Sequence, residues 1–162
     1  MITAIAAVSE NWGIGYKSDL LFHIPEDMKF FRTVTTGHTV VMGRKTLLSF
    51  PDGKPLKNRN NVVLSRRTDF KPDGAEVFKS VEEVLKYIES TNSKVFIIGG
   101  GEVYREFLPY CQRALITKVN AAPPADTFFP DLDKDPEWVM SEQSEEKEYD
   151  GVTFRFCTYI KK

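Results

Sequence analysis

The stretch Lys94-Val95-Phe96-Ile97-Ile98-Gly99-Gly100-Gly101-Glu102-Val103-Tyr104 decides the fold. Its first half is apolar without alternation, as in a strand buried on both faces. Three glycines follow, a run that admits dihedrals closed to other residues and lets a ligand approach the backbone. A helix over Glu102–Leu108 is predicted beyond them. The same succession occurs earlier, where Thr39-Val40-Val41-Met42 enters Gly43-Arg44-Lys45-Thr46 and a helix over Arg44–Ser49. Further apolar runs lie at Ile2–Val8, Asn61–Ser65, Arg113–Val119 and Val152–Ile160, with helical patterns at Pro25–Thr35 and Val81–Glu89. Ser80 with Glu83 marks the start of the latter as a capping box. Strands alternating with helices predict an α/β fold, a mostly parallel central sheet of about eight strands with flanking helices. Trp138–Ser141, the acidic turn Glu142–Gly151 and Val152–Ile160 read as an antiparallel C-terminal hairpin at one edge.

The chain has 162 residues, 41% hydrophobic and 28% charged, which predicts one globular domain over 1–162. A formal net charge of −1 gives no general case for a nucleic-acid or membrane partner. Cys111 and Cys157 are too few and too isolated for a disulfide framework or a metal site, consistent with a reducing, cytoplasmic setting. The apolar start Ile2–Val8 lacks a basic n-region and turns polar at Ser9, so it reads as a buried strand.

In open parallel sheets, ligands sit beyond the carboxyl ends of the strands, so those ends are the places to search. A helix opening at Gly43-Arg44-Lys45-Thr46 turns free N–H groups and two cations toward such a crevice, which suits a phosphate. An ordinary strand-to-helix turn is the competing reading. Gly99-Gly100-Gly101 is neither a P-loop nor the spaced dinucleotide fingerprint, and a dinucleotide held between the two turns fits better than ATP chemistry. Leu64-Ser65-Arg66-Arg67 ends a strand with a hydroxyl and two guanidinium groups, which favour a 2′-phosphate and therefore NADPH, with an ordinary solvated loop as the competing reading. At Pro25 a helix opens with Glu26 and Asp27 in its first turn. Ile24, Asp27, Met28, Phe31 and Val34 share one face, with Glu26, Lys29 and Arg32 opposite. Asp27 is thereby set in an apolar stripe, a carboxylate in need of donors from a ligand, a cap or an internal hydrogen bond. The preceding loop, Ser9–His23, is long enough for a lid, with Gly13 and Gly15 as flexible points around Ile14.

In order and spacing, these segments resemble the dihydrofolate reductase family along nearly the whole chain. The match is carried by Ile5-Ala6-Ala7, Gly13-Ile14-Gly15, Ile24-Pro25-x-Asp27, Val41 to Thr46, Arg59-x-Asn61, Ile98-Gly99-Gly100-Gly101-x-x-Tyr104 and Asp126-Thr127-x-Phe129-Pro130. The resemblance implies reduction of 7,8-dihydrofolate by NADPH, in the service of one-carbon metabolism and thymidylate synthesis. It implies that Asp27 orients the pterin and promotes its protonation, with Thr117 behind it. Ile5, Ala7, Met28, Phe31, Phe50 and Leu56 would line the folate site, and Arg59 would take the glutamate carboxylate. Ala6, Ile14, Gly43, Arg44, Lys45, Thr46, Leu64, Ser65, Arg66, Ile98, Gly99, Gly100, Gly101, Glu102, Val103 and Tyr104 would hold NADPH, with an unusual peptide bond between Gly99 and Gly100. Asp126 would support the lid. Residues of about 39–90 would form an adenosine-binding subdomain and the rest a loop-bearing one, in a monomer open to antifolate inhibitors such as trimethoprim.

Four positions depart from the family pattern. Phe22 stands where tryptophan is usual, Leu21 where proline is common, and Ala125 where glycine precedes Asp126; the stretch Phe50–Lys54 is longer. His23 and His38 read as surface residues, leaving water as the source of the proton. Other readings are a reductase of a different pterin-like or pyrimidine-like ring, as in riboflavin synthesis, and a non-catalytic nucleotide-binding module. A metal hydrolase has no ligand spacing behind it.

Overall fold

The computed structural model describes residues 1–162. Strands β1 (Ile2–Val8), β4 (Thr39–Gly43), β5 (Asn60–Leu64), β6 (Ala75–Phe78), β7 (Val95–Gly99) and β8 (Arg113–Val119) run parallel. Antiparallel strands β10 (Trp138–Gln143), β11 (Lys147–Tyr149) and β12 (Val152–Lys161) complete the sheet. Across it the order is β10-β12-β8-β1-β7-β4-β5-β6, and β11 pairs with the start of β12. The apolar runs are central strands: Val40, Val41, Met42, Val62, Val63 and Ile97 are wholly buried.

Helices cover both faces. Val84 and Ile88 of α3 (Val81–Glu89) and Val103 and Phe107 of α4 (Gly101–Phe107) join one core with Ala4, Val41, Ile97 and Ile116. On the other face, α1 (Pro25–Thr35) and α2 (Arg44–Leu48) bring Phe30, Phe31 and Leu47 against Ile5, Met42 and Phe96. Ser80 caps α3 as its sequence predicts, accepting from the Glu83 N–H at 3.2 Å.

Three expectations need correction. The acidic stretch Glu142–Gly151 is not one turn, because β10 continues to Gln143 and β11 lies within it. The turn proper is Asp150-Gly151, with φ of 52° and 79°, the positive values that a two-residue hairpin demands. Secondly, the Ser9–His23 loop is partly ordered into β2 (Gly13–Tyr16) and β3 (Asp19–Leu20), which form a small antiparallel sheet with β9 (Thr127–Phe128). Gly13 and Gly15 are strand residues there, and the left-handed backbones are at Trp12, Lys17 and Ser18. Gly13 is required by proximity, since a Cβ would lie 2.7 Å from that of Ala125. Thirdly, α1 uses a wider apolar face than the predicted stripe. Phe30 packs on Phe156 with ring centres 4.8 Å apart, while Met28 is exposed.

Candidate active site

A cleft of about 1940 Å³ opens where β1, β4, β5 and β7 end, roughly the volume of two small-molecule sites. It gathers Ile5-Ala6-Ala7, Ile14, Asp27, Met28, Phe31, Phe50, Leu56 and Arg59 with the turns at Gly43–Thr46, Leu64–Arg66 and Ile98–Tyr104. The sequence-predicted residues therefore meet in one place. Thr117 is not on the cleft wall; it stands behind it, buried, and donates its hydroxyl to Asp27 Oδ1 at 2.6 Å.

Asp27 sits in the first turn of α1, positioned by Pro25 and by the Met28 N–H donating to the Ile24 carbonyl at 3.0 Å. Among the acids lining the cleft, Asp19, Asp27, Glu82, Glu102, Glu106 and Asp126, it alone is not exposed. It makes no ion pair, whereas Glu26 turns outward to Lys147 at 3.2 Å. Burial raises the Asp27 pKa above 3.8, and the Thr117 hydrogen bond opposes this in part. Replacing Thr117 with valine removes the opposing donor, so the pH–rate profile is expected to move to higher pH. Turnover should fall about tenfold, the scale of one hydrogen bond to a charged group; an unmoved profile in a stopped-flow pH series would sink the assignment.

The raised pKa has a cost in stability. The folded chain holds the Asp27 proton more tightly than the unfolded chain, so stability falls as pH rises from below 3.8 through the folded value. At neutral pH the substitution Asp27→Asn removes a desolvated charge and keeps an oxygen for Thr117. It is expected to stabilise the free protein by about 1 kcal/mol. Thermal melts at pH 7 and pH 4 check this, with the gain confined to the higher pH; equal gains at both would contradict it.

At the other end of α1, Arg59 lies with its guanidinium 5.9 Å from the Phe31 ring centre. Nε donates to Thr35 Oγ1 at 3.2 Å and Nη1 to the Lys57 carbonyl at 3.0 Å. Desolvation, then the neighbouring charge of Arg32, lowers its pKa. Two like charges held at the rim with no acid between them suit a carboxylate ligand. Arg32 itself lines the cleft, contrary to its predicted place on the opposite face of α1.

The cofactor half is built on close backbone approach. Gly43 and Gly100 are the N-caps of α2 and α4, and neither helix has a side-chain cap. The Gly99–Gly100 peptide is cis and Gly99 has φ of 125°. A Cβ at Gly43 would lie 3.2 Å from Val103 Cγ2, and one at Gly101 would lie 2.9 Å from Thr127 Cγ2. Two uncapped turns packed this closely make a cradle that fits a dinucleotide diphosphate. Ser65 is buried at the end of β5 and accepts from the Arg67 N–H at 3.3 Å. Lys79 and Ser80 also line the cleft. They follow β6, a strand that no sequence pattern discloses. Tyr104 is buried and donates to the Ile5 carbonyl at 2.6 Å, tying α4 to β1. Burial, then the Asp27 charge, raises its pKa.

The Ser9–His23 segment is fastened by Asp126, whose N–H donates to the Gly15 carbonyl at 3.0 Å and whose Oδ2 accepts from the Lys17 N–H at 2.9 Å. Phe22 is half-buried on the cleft wall against the Ile24, Val119 and Phe154 cluster. Pro51–Gly53 forms a tight turn with Asp52 and Gly53 in the left-handed region, at φ 58° and 62°, which accommodates the longer stretch at the mouth. The histidines divide. His23 is exposed beside Asp19 at 3.5 Å, whereas His38 is half-buried against Phe96, its Nδ1 without a partner, and is not the surface residue predicted. No group of three or more His, Cys, Asp or Glu side chains gathers in a way that would hold a metal ion.

A family profile described as dihydrofolate reductase matches residues 1–161. The chain is 37% identical to the dihydrofolate reductase of Bacillus subtilis (strain 168), over 100% of this chain and 95% of that one. It is 43% identical to the dihydrofolate reductase of Mycobacterium tuberculosis (strain H37Rv), over 98% and 97% respectively. Among solved structures it is similar to a dihydrofolate reductase from Enterococcus faecalis complexed with NADP(H) and RAB-propyl. The TM-score is 0.88 at 32% identity, over 99% of this chain and 96% of that one.

Proposed function

The chain belongs to the dihydrofolate reductase family, and from that premise we propose that Asp27 is its catalytic carboxylate and Arg59 its substrate clamp. The activity is the NADPH-dependent reduction of 7,8-dihydrofolate to 5,6,7,8-tetrahydrofolate. One observation carries the catalytic reading: a single unexposed acid on the cleft wall, unpaired and hydrogen-bonded from behind by Thr117.

With Oδ1 accepting from Thr117, the carboxylate keeps Oδ2 and a further lone pair for the 2-amino group and ring N–H of a pterin. Two such bonds fix the ring's orientation, and the fixed negative charge favours protonation of the adjacent imine nitrogen. Water delivers that proton, because the other acids of the cleft are exposed. Ile5, Ala7, Met28, Phe31, Phe50 and Leu56 supply apolar walls. NADPH supplies the hydride when bound. Gly43–Thr46 and Gly99–Gly101 would hold its diphosphate, Ser65 and Arg66 its 2′-phosphate, and Ala6, Ile14, Leu64, Ile98, Glu102, Val103 and Tyr104 the remainder. β4 to β6 with α2 and α3 would constitute the adenosine-binding part, over about 39–90.

No helix is long and apolar enough to cross a membrane. Two free, buried cysteines support a reducing cytoplasm, and a monomer is the proposed state. Antifolate inhibitors such as trimethoprim would compete at the Asp27 end.

The test is loss of NADPH absorbance on adding dihydrofolate, beside a pterin without the glutamate tail. Oxidation without substrate, or none with it, would overturn the reading. Equal use of both rings would favour a reductase of another ring.

A further inference from the structure

Trp12 roots the lid in an unfavourable conformation. Its φ is 63°, a region that bulky side chains avoid. Its backbone is held twice, by its own N–H to the Ser9 carbonyl at 3.0 Å and by the Phe129 N–H to its carbonyl at 2.9 Å. Its ring is held three ways. It stacks on Phe129 and meets Tyr159 edge-on, each with centres 6.0 Å apart, and Lys118 Nζ lies 5.4 Å from its centre.

Lys118 is itself fixed. Its ammonium is 2.6 Å from Asp133 Oδ2 and 3.3 Å from the Tyr159 hydroxyl, which donates to Asp133 Oδ1 at 2.6 Å. Trp12, Phe129 and Tyr159 are buried. From Phe129 the contacts continue to Tyr104, ring centres 4.7 Å apart, and from its hydroxyl to the Ile5 carbonyl in the cleft.

β8 gives this its geometry. Consecutive residues of a strand point to opposite faces. Thr117 therefore reaches Asp27 on one side while Lys118 reaches Trp12 on the other. One rigid strand sets both the acid and the root of the lid.

We propose that Lys118, with Asp133 and Tyr159, is a positioning residue that holds Trp12 and so keeps the Gly13–Tyr16 strand of the lid over the cofactor side of the cleft. Ile14, two residues beyond Trp12, lines that cleft. The inference rests on the reading of this cleft as an NADPH site. Without the cation, the ring keeps only Phe129 and Tyr159 against the strained backbone, and the lid strand loses part of its fixed origin.

The chain has two tryptophans, so Trp138→Phe leaves Trp12 as the single emitter. In that background, NADPH affinity is read by nucleotide fluorescence without substrate, and Trp12 emission without nucleotide. Lys118→Met should weaken NADPH binding about three- to tenfold, the scale of one cation–π contact. It should also shift Trp12 emission, and Lys118→Arg should restore both. Asp133 lies at the surface and asparagine keeps its shape, so Asp133→Asn keeps the fold if Lys118→Met does not, and should act in the same direction more weakly. Unmoved affinity and emission in Lys118→Met and Asp133→Asn, or an arginine variant as impaired as the methionine one, would overturn the proposal. The emission measurement needs no cofactor, so it separates this failure from a failure of the functional reading.

Discussion

Asp27→Asn is expected to lower turnover by roughly 10²–10⁴-fold while leaving NADPH affinity unchanged. Asparagine keeps the shape of the side chain and an oxygen for Thr117, so the helix turn and its hydrogen bond persist. It lacks the charge and one acceptor. A pterin then loses the fixed negative potential that favours its protonation, and one of the two bonds that orient its ring. The reaction consumes a proton, so activity falls as pH rises. The descending limb reports loss of the proton from the pterin nitrogen, which the fixed Asp27 charge sustains to higher pH. In Asp27→Asn that limb should move to lower pH. Single-turnover rates across pH 5–9, about the range in which neutral-poised groups titrate, decide it. A wild-type rate in the variant would remove Asp27 from the mechanism.

Arg59→Ala is expected to raise KM for dihydrofolate roughly 10- to 100-fold, from one charge-assisted hydrogen-bonded pair. A tail-less pterin should be used as before. Arg59 is pre-set, with Nε and Nη1 already engaged by Thr35 and Lys57, so little ordering remains when a carboxylate docks on its free edge. Arg32 stays in place and keeps part of the attraction, which bounds the loss. Equal losses for both substrates would show that Arg59 supports the fold of the rim and does not select the tail.

The central strands were legible because a parallel strand covered on both faces is apolar throughout, and Val40-Val41-Met42 and Phe96-Ile97-Ile98 read that way. β6 is four residues at an open edge with Glu76 inside it, too short and too polar to declare itself. The lid strands are set by bonds to residues over a hundred positions away, Lys17 to Asp126 among them, which no local pattern contains. Asp27 stood out through helical spacing. Its partner Thr117 lies 90 residues on and came from the family resemblance alone. Arg32 was misplaced because α1 lies between the sheet and the cleft and uses two faces, where the spacing argument allowed one. Lys118 and Asp133 carry no local signal in the sequence; only the fold brings Lys118 to the Trp12 ring and Asp133 to Lys118.

The tight approach of Gly13 to Ala125 has a consequence for how this protein can change over generations. A side chain at 13 and the methyl at 125 claim the same space, 2.7 Å apart where ordinary contact begins near 3.4 Å. The two positions are therefore not free to drift independently. Glycine at 125 does not by itself admit alanine at 13, because Ser9 Oγ at 2.9 Å and Leu21 Cδ1 at 3.1 Å also stand against the new methyl. Selection acting on the cleft, as an inhibitor would impose, meets a joint constraint on packing behind its wall, between residues 112 positions apart in the chain (125 − 13).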